Sequence, residues 1–250
     1  MSNLIIPEWK VDPGPVRALC TTRQGGTSQA PYDDGAGGRG LNLGRHVGDN
    51  AAHVNANRAW LRTLLPSDPV WLNQVHGADV VEAGTVSGVP DADASFTTTP
   101  GVVCAVLTAD CLPVLFCDLA EQVVAAAHAG WRGLAAGVLR NTAARMREAG
   151  AQQIQAWLGP AIGPRRFEVG ADVLQAFIGL DPAGKHFALQ ANGKYLADIY
   201  ALARLELRAC GVDLLGGGGF CTVEDAPRFY SYRRDGVTGR MASLIWIDAV

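Results

Sequence analysis

Three residues far apart in the chain carry side chains that could hold a metal ion or build a nucleophile: His76, Cys111 and His128. Two imidazoles and one thiolate form a borderline-soft donor set suited to Zn²⁺. Three protein ligands also leave a fourth position for water, as in a catalytic rather than a closed structural zinc site. Zinc in that position lowers the pKa of its water from ~15.7 to about 7, giving a nucleophile at neutral pH. Without a metal, the same residues read as a cysteine nucleophile with a histidine base. The spacing alone matches neither C-x₂-C nor H-E-x-x-H, and free cysteine is among the most buried residue types.

The elements around these residues decide whether they can meet. Residues 102–107 and 114–117 are dense apolar runs joined by 108–113, which reads as strand, tight connection, strand, with Cys111 in the connection. Residues 123–127 read as a third buried strand ending at His128, followed by a helix over 134–149 stopped by Gly150. Two short strands, WLNQV and ADVVEA, flank His76-Gly77. All three donors therefore fall at strand ends, which can converge. Elsewhere the pattern predicts strands over 16–21, 154–158, 219–223 and 242–247. It predicts helices over 51–65, 171–177 and 199–210. The expected fold is α/β (α+β), a single domain over 1–250 with a mixed β-sheet core covered by helices.

Composition narrows the partners. Lys and Arg number 21 against 24 Asp and Glu, a formal charge of −3, so there is no basic field for nucleic acid or an anionic membrane. The amino terminus carries Glu8, Lys10, Pro13 and Pro15 and fails as a signal peptide, which points to the cytoplasm. The most apolar stretch, 102–117, is broken by Asp110 and Pro113 and is too short to span a membrane. Six cysteines are too sparse for a disulfide scaffold, and Cys104, Cys117, Cys210 and Cys221 read as core.

The polar segment 22–48 reads as a long loop offering Arg23, Asn42 and His46, the last taken as a surface histidine. Its G-x-G-x-x-G at 35–40 has no strand before it and no helix after it, so it is discarded as a dinucleotide motif, and the chain has no P-loop. Arg23 and Arg132 carry guanidinium forks that match phosphate or carboxylate, Arg132 at a predicted helix start. The aromatic run 229–236 reads as a turn packed on the core.

Eight pieces in one order carry a resemblance. They are Thr21-Thr22-Arg23 with Gly25-Gly26; Leu41-Asn42-Leu43-Gly44 with His46-Val47-Gly48-Asp49; Asn73-Gln74-Val75-His76-Gly77; Asp91-Ala92-Asp93; Thr108-Ala109-Asp110-Cys111-Leu112-Pro113; His128-Ala129-Gly130-Trp131-Arg132-Gly133; Leu158-Gly159-Pro160-Ala161-Ile162-Gly163; and Ser231-Tyr232-Arg233-Arg234-Asp235-Gly236. Together they resemble the YfiH family, also called the laccase-domain or multicopper polyphenol oxidase-like family. The resemblance implies a cysteine-hydrolase-like fold and a metal site at His76, Cys111 and His128, with one zinc per chain. It implies phosphorolysis of adenosine, inosine, guanosine and methylthioadenosine, and deamination of adenosine by attack of zinc-activated water on C6. In that setting Arg23 and Arg132 are expected to hold phosphate, and Asn42, Asn73, Gln74 or Asp93 to bond the nucleoside. The competing readings are a Cys-His hydrolase editing cell-wall precursors, a zinc that only staples the fold and, last, a copper polyphenol oxidase. Residues 35–40 depart from the family's more direct passage into Leu-Asn-Leu-Gly.

Overall fold

The dense apolar runs become strands because both of their faces are covered, so the alternation of a half-exposed strand never shows. The structure, a computed structural model, describes residues 4–120 and 122–249. In chain order the first part gives β1 (Leu4–Ile5), β2 (Val16–Thr21), β3 (Gln24–Ser28), α1 (Ala51–Arg62), β4 (Pro69–Val70), β5 (Val80–Glu82) and β6 (Ala94–Thr97). The centre gives β7 (Val103–Thr108), β8 (Leu112–Asp118), β9 (Val124–Ala129), α2 (Trp131–Ala136), α3 (Val138–Glu148) and β10 (Ile154–Leu158). The last part gives β11 (Glu168–Val169), α4 (Ala171–Ala176), β12 (Phe187–Leu189), β13 (Tyr195–Ala197), α5 (Ile199–Ala209), β14 (Leu214–Gly217), α6 (Tyr232–Asp235) and β15 (Met241–Ile247).

These form two large mixed sheets, ordered β1-β2-β15-β7-β4 and β14-β10-β8-β9-β6-β5, and a small one, β11-β13-β12. The large sheets pack face to face over a seam filled by Cys104, Val106, Leu115, Cys117, Val124, Ala126 and Ile245. The outer face of the second sheet, with Phe116 and Ala125, is covered by Leu139 and Met146 of α3 and Leu202 and Leu207 of α5. The outer face of the first is covered by Leu61 of α1 and by Leu41 and Leu43. The mixed α+β expectation holds. No helix among the described residues is long and apolar enough to cross a membrane.

Local expectations fare unevenly. Strands over 16–21 and 154–158 form as read. The WLNQV strand does not: β4 stops at Val70, and the Gln74 amide instead bonds the Leu107 N–H and C=O, both at 2.8 Å, in place of a strand neighbour. The helix expected over 134–149 is two helices, because Gly137 adopts φ +94° and closes α2 with its N–H on the Gly133 and Leu134 carbonyls. Residues 219–223 form no strand; the sheet edge is β14, parallel to β10. The polar segment 22–48 is tied down by Asn57 of α1, whose side chain bonds the Thr27 N–H, Ser28 Oγ and the Gly40 and Asn42 carbonyls.

Candidate metal centre

The antiparallel register of β8 and β9 sets Pro113 opposite His128, which places Cys111, two residues earlier, diagonal to that histidine. Alternation along the strands turns both side chains to the side of Leu115 and Val124, into the seam. The apolar filling ends there and the two polar donors take over. Asp110, at φ +88°, fixes the tight connection before Cys111: its carboxylate accepts from the Thr222 hydroxyl and the Arg233 N–H.

His76 arrives on the loop between β4 and β5, in the left-handed region at φ +59°, which is uncommon for a residue with a Cβ. One carboxylate holds it there. Asp93, just before β6, accepts the N–H groups of Val75, His76 and Gly77 at 3.2, 3.1 and 2.6 Å, and its Oδ1 lies 2.7 Å from His128 Nδ1. Asp93 therefore ties the loop-borne imidazole to the strand-borne one, and with Nδ1 engaged, His128 is left Nε2 for an ion. The two rings meet edge to face, 4.8 Å between centroids.

The donor atoms of His76, Cys111 and His128 all lie within 4.8 Å of one another. Among the described residues this is the one group of three or more His, Cys or carboxylate donors close enough to hold an ion. Gly130 supplies the room: a Cβ there would stand 2.7 Å from His76 Nδ1 and 3.1 Å from Cys111 Sγ. The donor set and the space fit a borderline-soft divalent ion.

The electrostatics follow from these contacts. Burial alone would raise the Asp93 pKa, but the His128 ring and the N–H groups of Gly77 and Val75 hold it below the usual carboxylate value. Burial opposes a charge on His128, yet Cys111 and Asp93 push its pKa up to about 9. His76 is pushed down by burial and by the charge of His128.

A cavity of about 520 Å³ opens over the donors, and Asn73, Gln74, Thr108, Tyr232, His46 and Arg240 share its lining. A second cavity of about 550 Å³, between Arg165 and Arg228, contains none of the three donors.

Other expected binding residues divide. Asn73 and Gln74 line the cavity. Arg23 does not: it is 5% exposed, its guanidinium bound to the Asp33 carbonyl and carboxylate and to the Ala226 carbonyl. Asn42 is fully buried, bonding Asp49 and the backbone of Gly44 and Arg240. Asp93 is likewise inaccessible behind the donors. These three expectations are corrected, because their polar atoms are already engaged within the protein. Arg132 sits exposed in the first turn of α2, its guanidinium over the Trp131 ring and outside the cavity lining.

Sequence reasoning missed the opposite wall. His46 is exposed, as a surface histidine should be, and also lines the cavity. The aromatic run splits: Phe229 and Tyr230 are core, whereas Tyr232 is 61% exposed at the rim. Arg240 precedes β15, whose pairing of Met241 with Thr108 brings it to the site. That signal becomes visible only with the register.

Residues 17–248 match the family model described as multi-copper polyphenol oxidoreductase laccase. The chain belongs to this laccase-domain family. Laccase-domain relatives include "Purine nucleoside phosphorylase YfiH" of Escherichia coli K12, 53% identical over 99% of this chain and 100% of that protein. A purine nucleoside phosphorylase of Pseudomonas aeruginosa is 52% identical over the same shares. Among solved structures, a Neisseria meningitidis protein of the DUF152 family superposes with TM-score 0.91 at 50% identity, covering 99% of this chain and 100% of its own. YlmD of Geobacillus stearothermophilus gives 0.86 at 32% identity, over 96% of this chain and 94% of its own. The 35–40 segment, where this laccase-domain chain departs from the expected pattern, is a turn in which the Asp34 carboxylate accepts from Ala36 and Gly38, away from the cavity.

Proposed function

We propose that the chain, acting as one domain, is a zinc-dependent purine nucleoside phosphorylase that cleaves adenosine, inosine, guanosine and methylthioadenosine and also deaminates adenosine. The reading is carried by the convergence of His76, Cys111 and His128 at the floor of a cavity large enough for a nucleoside. The names borne by the relatives point the same way. Zinc held there supplies Lewis acidity and an activated water at neutral pH. The protein's own part is positional. Asp93 keeps the proton of His128 on Nδ1 and holds the backbone that presents His76. Gln74 is committed to Leu107 and the Asn73 Nδ2 to Asp91, so the Asn73 Oδ1 and Thr108 remain to meet polar groups of the nucleoside, and Tyr232 offers a ring face at the mouth. Phosphorolysis then rests on setting phosphate against the sugar while the departing base is stabilised.

One observation favours a second reading. Cys111, His128 and Asp93 also form a nucleophile, base and orienting carboxylate, the arrangement of a thiol hydrolase acting on an amide.

A single assay separates the two. Adenosine is supplied with and without phosphate to protein of measured metal content, and adenine, inosine and hypoxanthine are quantified separately. Adenine release that requires phosphate and disappears on chelation supports the phosphorylase. Activity that survives chelation and is lost on alkylation of Cys111 supports the hydrolase. His76→Ala is expected to lose the metal and the nucleoside reactions while remaining folded; collapse of the fold would instead make the ion a structural staple.

A further inference from the structure

The cavity over the three donors has no carboxylate in its lining among the described residues, although it holds three histidines and Arg240. Buried and half-buried cations are ordinarily paired. In this chain the buried Arg23 meets Asp33 and the half-buried Arg234 meets Asp235. Arg240 is different. Its side chain is half-buried, and its guanidinium donates from Nη1 alone, to the carbonyls of Thr238 and Gly239, both at 3.0 Å. Nε and Nη2 have no acceptor and no carboxylate stands within ion-pair distance, among the described residues.

The stem of this arginine is clamped. Its N–H donates to Asn42 Oδ1 at 2.9 Å, and its carbonyl accepts from Leu43 at 3.1 Å. Its Cγ packs so closely over Gly44 that a Cβ there would lie 2.8 Å away. A side chain fixed this way presents its free edge at little further entropic cost. His46 beside it feels this charge, since burial and the charges of Arg240 and Arg58 disfavour its protonation, while Cys111 and Asp110 favour the charge of Arg240 itself.

We propose that the free edge of Arg240, beside His46, is the subsite for a tetrahedral oxyanion, inorganic phosphate, bound next to the metal-donor cluster. The inference rests on the phosphorylase reading and supplies the phosphate site that Arg23, committed to Asp33, cannot. In that reaction a phosphate oxygen bonds to the sugar C1′ as the C1′–N9 bond breaks. The bonding pair leaves with the purine, which takes up one proton, and ribose 1-phosphate is released. Arg240 takes no part in bond making; it holds two phosphate oxygens through Nε and Nη2.

The wild-type protein, with and without metal, is treated with the arginine reagent phenylglyoxal in the presence and absence of inorganic phosphate, and modified sites are mapped by mass spectrometry. Phosphate is expected to protect Arg240 at least fivefold, and Arg132 not at all. In parallel, Arg240→Met is expected to raise the KM for phosphate more than tenfold while the KM for nucleoside changes less than threefold, and Arg240→Lys to recover part of the loss. Unprotected Arg240, or a phosphate KM that moves with Arg132→Ala instead, overturns the proposal even if phosphorolysis is present. Protection of Arg240 in a protein that shows no phosphorolysis would keep the anion site and discard the phosphorylase reading. The mapping needs no variant, so misfolding of Arg240→Met leaves the test intact.

Discussion

Two buried carboxylates, one at the end of the inter-sheet seam and one in the helical layer, show what distinguishes a built site from a tolerated flaw. Asp93 accepts from three backbone N–H groups and meets the His128 ring, and its pKa falls despite complete burial. Glu206 of α5 is also buried, but its Oε1 receives one long bond, 3.4 Å, from the Arg140 N–H, and its Oε2 has no partner among the described residues. Burial, opposed only weakly by Arg140, pushes its pKa up to about 7. Burial of an acid is therefore no sign of function by itself. The sign is saturation: donors from separate segments, 75–77 and 128, converge on one carboxylate and are held in register by it.

Substitution at the saturated carboxylate should have the largest effect. Asp93→Ala strands four donors, three of them backbone, and is expected to cost about 3–5 kcal/mol of stability, read by denaturant unfolding. Metal affinity, read by chelator competition, should fall at least ~10–100-fold, the usual cost of losing the partner of a ligating histidine. Asp93→Asn keeps one acceptor oxygen and should fall between. If Asp93→Ala changes neither quantity, the contrast with Glu206 fails. Gly130→Ala is narrower. Gly130 has φ −60° and ψ 155°, open to any residue, and the atoms nearest to a Cβ there belong to His76 and Cys111. Metal affinity should drop about tenfold while stability moves by less than ~1 kcal/mol. Equal loss of both would mean that Gly130 serves the fold rather than the site.

The same contrast explains what could be read from the sequence. Cys111 and His128 were legible because continuous apolar runs delimit β7, β8 and β9, and the ends of buried strands are where polar groups can surface. β6 was not legible: Ser95 and Thr97 are buried, so Ala94–Thr97 shows no apolar run, and with it went the role of Asp93 as the residue that pairs beside His128. The sequence places His76 at a strand junction, whereas hydrogen bonds to Asp93, absent from any local pattern, set its loop. Arg240, His46 and Tyr232 belong to segments joined only by long-range bonds such as that from Arg240 N–H to Asn42, which no periodicity encodes. Arg23 shows the converse error: residue type suggested an anion, and Asp33 had already supplied one.

Glu206 gives the smallest and most diagnostic effect, opposite in sign. Its folded pKa, about 7, lies above the ordinary 4.5, so the folded state retains a proton that the unfolded chain has released. Stability from this group is therefore complete below about 4.5 and declines as pH rises toward 7, by ~2–4 kcal/mol in all. Glu206→Gln keeps the acceptor for the Arg140 N–H and removes the charge, although its amide still lacks one partner. The variant should be more stable than wild type by about 2 kcal/mol at pH 8, and the gap should shrink below ~1 kcal/mol at pH 5. Urea unfolding at the two pH values measures both terms. A gap of constant size would mean that Glu206 ionises in the fold as it does in the unfolded chain, and an Asp93-like loss on substitution would mean that the helical layer depends on it after all.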